Sequence, residues 1–144
     1  MIEPGDANIH LVELGAEGYE DRESIKEGMN QCLDNIRSIR DDAEGIGFGF
    51  FLNEEPIIRR NAMNYIEIGN LIRRLGSIHQ LNPAMDRAYR ERIMIARTFM
   101  DPAFKDCGLW KDIVNDLDEL RAGCEEVIRT ISEQGRSDGT DDKT

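Results

Sequence analysis

The stretch LWKDIVNDLDELRAGCEEVIRTI, Leu109–Ile131, decides the fold. Its residues Trp110, Ile113, Val114, Leu117, Leu120, Cys124, Val127, Ile128 and Ile131 recur at steps of mostly three and four. At 3.6 residues per turn such spacing lays them along one stripe of a helix, which predicts a long amphipathic α-helix from about Leu109 to Glu133. A stripe of that length requires apolar surface opposite it, so the rest of the chain is read for partners.

Three partner helices are legible. The first runs from about Glu23 to Ala43, with Ile25, Met29, Cys32, Leu33, Ile36 and Ile39 on one face. Asp21 and Ser24 are candidate caps at its start, and Gly45, Gly47 and Gly49 end it. The second covers about Pro56 to Leu75 through Ile58, Ala62, Tyr65, Ile66, Gly69 and Ile72. Asn53, Glu54 and Glu55 precede its proline and favour the positive end of the helix dipole, while Gly76 closes it. Gly69 costs a helix interior about 1 kcal/mol relative to alanine, and close approach of another helix is the expected reason for it. The third helix opens at Pro83 after SIHQLN, carries Ile93, Met94, Ile95 and Phe99, and stops at Asp101-Pro102. Between the first two helices, GIGFGFFLNEEP (Gly45–Pro56) is too glycine-rich for a helix, yet it holds Phe48, Phe50, Phe51 and Leu52. Such a loop is expected to fold back over the core.

These elements predict an all-α protein: an antiparallel bundle of four to five helices forming a single domain over residues 23–134. Residues 1–22 are weakly patterned, and the polar tail GRSDGTDDKT over 135–144 is expected to be disordered.

Composition narrows the classes of function. The chain of 144 residues carries 18 basic and 29 acidic side chains, a formal charge of −11. Long-range repulsion disfavours broad non-specific binding to polyanions, so no DNA partner is expected. Arg59-Arg60 and Arg73-Arg74 are the local basic pairs open to RNA, and the blander reading makes them the solvated face of a helix. Cys32, Cys107 and Cys124 show no CxxC spacing. Cys32 and Cys124 fall on apolar stripes as small buried hydrophobes, and an odd count without a secretory signal points to a reducing, cytoplasmic setting. No apolar run approaches membrane-spanning length, and no membrane partner is expected.

Most sites fail on residue type or spacing. The two histidines, His10 and His79, form neither HxxxH nor ExxH pairs, so neither a metal nor any other cofactor is expected. GIGFGF lacks the lysine of a phosphate-binding loop, and no serine or cysteine has an evident base nearby. What remains is IMIARTFMDPAF, Ile93–Phe104, where Arg97 stands alone on a largely apolar helix that breaks off at Asp-Pro. One reading is a packed helix with a snorkelling arginine; the other is an arginine that has lost its catalytic partner.

The order of segments resembles the HepT-like proteins of the HEPN superfamily, toxin partners of minimal nucleotidyltransferases. The resemblance covers about Glu23 to Ile131. GFGFFL (Gly47–Leu52) echoes the family's short SFxxFL loop. NYIEIGNLIRRL (Asn64–Leu75) matches its next helix in Asn64, Ile68, Gly69, Arg74 and Leu75, with Asn70 in place of the usual glutamate. The family closes with an apolar helix that begins on tryptophan, and LWKDIVNDLDEL (Leu109–Leu120) is similar across its whole length, the most specific of the three matches.

The resemblance implies a HEPN-like symmetric homodimer that cleaves RNA without metal through an R-N-x-x-x-H-x-Y motif, the arginines and histidines of two subunits facing one another across a cleft. There histidine takes the proton of the ribose 2′-hydroxyl and arginine stabilises the phosphate. The tyrosine is the group that the partner nucleotidyltransferase, acting as antitoxin, modifies with AMP. Here Arg97 matches the arginine, Thr98 replaces asparagine, Pro102 stands at the histidine position and Phe104 at the tyrosine position. Both chemical handles are missing, and ribonuclease activity is expected to be impaired or lost. Two possible substitutes have plainer structural readings. Arg74 to His79 repeats the arginine–histidine count at the end of the second helix, where a solvated loop histidine is the plainer reading. Asp101 is a weaker base than histidine at neutral pH and reads more simply as a helix stop. A rival reading from another class makes the protein a non-catalytic helical scaffold that binds a protein or small ligand in the dimer cleft.

Overall fold

In a computed structural model the described residues are 22–47, 51, 54–98 and 107–140. Four α-helices account for nearly all of them: α1 Arg22–Ile46, α2 Glu55–Arg74, α3 Pro83–Thr98 and α4 Cys107–Thr140. Among the described residues there is no strand. The expected all-α bundle is therefore observed, with one element the pattern did not reveal. SIHQL, together with Gly76, forms a 3₁₀ turn, Gly76–Leu81, that links α2 to α3.

The chain breaks where its chemistry requires it. Gly47 and Gly76 adopt φ of +85° and +72°, the left-handed conformation that ends a helix at low cost only for glycine. At the start of α3, Asn82 accepts hydrogen bonds on Oδ1 from the backbone N–H groups of Ala84 (2.8 Å) and Met85 (3.1 Å), capping the helix that Pro83 opens. The cap expected at Ser24 is not there. Ser24 lies inside α1, whose first residue is Arg22, and Asp21 falls outside the described residues. At the other end of the chain α4 continues past Glu133 to Thr140.

Side-chain ties give the topology. Asp42 of α1 meets Arg60 and Asn61 of α2 while Ser38 meets Asn64, so the two run antiparallel. Arg40 of α1 pairs with Asp118 of α4, and Arg87 of α3 pairs with Asp116 of α4. The core they surround contains Ile25, Met29, Cys32, Ile36 and Ile39 from α1, Ile58, Tyr65, Ile68 and Ile72 from α2, and Trp110, Leu117, Cys124 and Ile131 from α4. Cys32 and Cys124 are free thiols buried within it, packed as hydrophobes. Phe51 is fully buried and meets the Trp110 ring edge-on at 5.6 Å, so the glycine-rich connection does return to the core at that residue. Phe48, Phe50 and Leu52 lie outside the described residues.

Two glycines mark the tightest approaches. A Cβ on Gly69 of α2 would lie 2.5 Å from Arg92 Cβ and 2.7 Å from the backbone oxygen of Ala88, both on α3. The expected reason for that glycine is thus observed. Gly123 of α4 is the second: a Cβ there would meet Asn82 Cγ at 3.0 Å and Met85 Cε at 3.2 Å.

Backbone cannot yield as a side-chain tip can, so Gly69→Ala is expected to lower stability by about 2 kcal/mol, overpacking outweighing the gain in helix propensity. Urea unfolding checks this. An unchanged or raised midpoint would mean that α2 and α3 separate freely at the crossing.

Candidate functional site

α3 carries the residues of interest and presents two different faces. Its apolar positions Ala84, Met85, Ala88 and Ile95 turn inward, and Arg92 turns inward with them. Outward lie Ile93 and Met94, 46% and 45% exposed, and Arg97 in the last turn. A cation there is favoured by the partial negative charge of the helix C-terminus. Among the described residues Arg97 makes no ion pair or hydrogen bond. Thr98 folds its hydroxyl back to donate to the carbonyls of Met94 (3.0 Å) and Ile95 (3.1 Å). Asp101, Pro102 and Phe104 lie outside the described residues, so of these candidate positions the structure locates Arg97 and Thr98.

The inner face holds an arginine that the pattern gave no reason to single out. Arg92 is only 7% exposed, and its guanidinium binds neutral groups alone among the described residues. Nε donates to Asn70 Oδ1 at 3.0 Å, one terminal nitrogen donates to the Tyr89 carbonyl, and the group lies 4.5 Å from the centre of the Tyr89 ring. Tyr89 stacks in turn on His79, ring centres 4.2 Å apart and 8° from parallel. His79 sits against the Gly76 carbonyl through Nδ1 at 3.0 Å, with Asp86 Oδ1 3.9 Å from Nε2. His79 is therefore a stacked, partly covered side chain and not the solvated loop residue expected. No hydrogen bond or ion pair joins it to Arg74 among the described residues.

A second cluster forms where α2, α3 and α4 meet. Tyr65 directs its hydroxyl at Glu91 Oε2 over 3.5 Å, a long contact, while Arg87 pairs with Asp116. Burial and the neighbouring carboxylates push the Tyr65 hydroxyl far above its usual range. Burial likewise raises the Glu91 carboxyl, with Asp116 and Asp112 adding to the effect and Arg87 opposing it. Neither residue stands out in the sequence, since Glu91 reads as one of many helical surface acids.

The basic pairs separate. Arg59 binds Glu55 and Arg60 binds Asp42, each at 2.6 Å, so both are largely neutralised. Arg73 and Arg74 are exposed in the last turn of α2, where cations suit the dipole. Among the described residues no three His, Cys, Asp or Glu side chains are placed to hold a metal ion. No helix is long and apolar enough to cross a membrane.

A carboxyl whose pKa is raised on folding contributes stability while protonated, and loses it as pH rises above its ordinary value of 4.5 through the folded value. Wild type is expected to lose stability relative to Glu91→Gln over that rise, and Tm against pH for the two proteins checks it. Parallel curves would show that Glu91 titrates as a solvated carboxylate.

Searches against protein-family models, curated proteins and solved structures find no match to the chain.

Proposed function

We propose that the protein is a HepT-like component of a toxin–antitoxin-type pair, built as a symmetric homodimer through the outer face of α3, in which ribonuclease chemistry has been lost. The observation that carries the reading is the composition of one segment. Arg97 is exposed and without a partner among the described residues, while Pro102 and Phe104 occupy the sequence positions of the proton-transfer and AMP-accepting groups. Arginine alone stabilises charge on a phosphate but cannot take the proton of a 2′-hydroxyl, and proline offers no titratable group. The all-helical architecture and the order of its helices are consistent with the resemblance.

The exposed side chains of Ile93 and Met94 support an interaction face there. Two large apolar residues beside an open arginine bury area and a charge in one contact, which suits either a second copy or the nucleotidyltransferase partner. The same feature favours the second reading, a non-catalytic interaction module that uses this face to bind a protein.

Purified protein incubated with total RNA is expected to give no cleavage above that of an Arg97→Ala control. Arg97-dependent cleavage would overturn the loss of chemistry. Pro102→His alone is expected to remain inactive, because Phe104 and the altered helix end persist. Strong nuclease activity in that variant would show that the rest of the site is intact. Ile93→Glu combined with Met94→Glu is expected to shift a dimer to monomer by light scattering. A mass unchanged by the pair would place any subunit contact elsewhere.

A further inference from the structure

We propose that the groove between α1 and α4 binds a small organic anion, one carboxylate, sulfonate or phosphate group on an apolar or aromatic body. The groove has a volume of about 420 Å³ and is lined by Leu33, Ile36, Arg37 and Arg40 of α1 with Arg121 and Glu125 of α4. Its shape follows from helical spacing. Positions 33, 36, 37 and 40 fall on one stripe of α1, and 121 and 125 lie one turn apart on α4. Leu33 and Ile36 pack on the core and give an apolar floor, while the arginines and Glu125 form the wall.

The three guanidinium groups are committed unequally. Arg40 pairs with Asp118 and stands 3.9 Å from Glu44. Arg121 reaches Asp118 and Glu125 only at 3.7 Å each. Arg37 makes no ion pair or hydrogen bond among the described residues. Exposed pairs that long are worth about 0–1 kcal/mol, so an incoming anion displaces Glu125 from Arg121 at small cost. A carboxylate, sulfonate or phosphate then receives two N–H donors from each planar fork. The floor takes the apolar body of the ligand, and the volume falls within the roughly 300–1,000 Å³ of small-molecule sites. An open guanidinium over apolar surface gives charge complementarity that selects an anion rather than a neutral ligand.

The probe is 8-anilinonaphthalene-1-sulfonate, titrated by fluorescence into the full chain, with uncharged N-phenyl-1-naphthylamine as its neutral counterpart. Saturable binding of the sulfonate is expected, weakened about tenfold by Arg37→Gln and by Arg121→Gln, and left unchanged by Arg129→Gln, which lies further along α4 outside the groove. Circular dichroism confirms that each variant is folded. Equal affinity for the neutral probe, or full affinity in both groove variants, would overturn the proposal. Competition by decanoate assigns the body to an alkyl chain, and competition by AMP assigns it to a nucleotide. Failure of both to displace the probe would also overturn it.

Discussion

At Gly69 the backbone of α2 comes so near α3 that a single added carbon would sit 2.5 Å from Arg92 Cβ and 2.7 Å from the Ala88 carbonyl oxygen. Much of the arrangement around α3 depends on that approach. It sets Arg92 beside Asn70 and removes its charge from water, a costly step unless the guanidinium finds acceptors. Asn70, the Tyr89 carbonyl and the Tyr89 ring supply them, and His79 stacked on Tyr89 anchors the 3₁₀ turn to the same helix. With Arg92 fixed inward, helical geometry decides the rest. Arg97 lies five residues on, about 140° around the axis, and so must face away from the core. Its exposure follows from helical geometry once Arg92 faces the core.

Apolar stripes alone leave two helices free to slide or rotate against each other, because one aliphatic contact resembles the next. Polar ties remove that freedom. Asn61 is fully buried and donates from Nδ2 to Asp42 at 2.8 Å and to the Ile57 carbonyl at 2.9 Å, while its Oδ1 accepts from Asn64 at 3.3 Å. A shift of α2 by one turn would leave that amide without Asp42, at a cost of about 1–3 kcal/mol for a buried unsatisfied group. Arg40–Asp118 and Arg87–Asp116 lie nearer the surface, where their contribution is smaller, and hold α4 against α1 and α3.

The helices were legible because burial follows period. Of the residues that spacing groups together, Ile25, Met29, Cys32, Ile36 and Ile39 are buried and Leu33 is partly buried against them. Gly69 was legible for the same reason: a glycine inside a strong helical pattern needs a contact to justify it. Gly123 carries a milder constraint, against side-chain atoms alone, and passed unnoticed within a stripe that was already well defined. What no local pattern reveals is a residue whose role depends on a distant partner. Arg92 reads as a surface charge until α2 covers it, and Glu91 reads likewise until Tyr65 and Asp116 surround it. Ser24 looked like a cap because capping residues are recognised by type, whereas the position of the first turn is fixed by packing further along.

The same geometry bears on the proposed loss of ribonuclease chemistry. Were Arg97 to hold a phosphate, proton transfer there would require an acceptor within hydrogen-bond reach of the same ligand. Glu91, with its raised carboxyl pKa, is chemically the best suited described residue on α3. It lies six residues earlier, however, about 120° around the helix and roughly 9 Å along it, with Tyr65 and Asp116 beside it. His79 is stacked on Tyr89, eight residues before Arg97 and so about 12 Å away along the axis. Neither reaches the space in front of Arg97 within one chain. A titratable side chain with a suitable pKa is therefore not enough, because α3 turns its acid–base groups to the bundle and its open arginine to the outside.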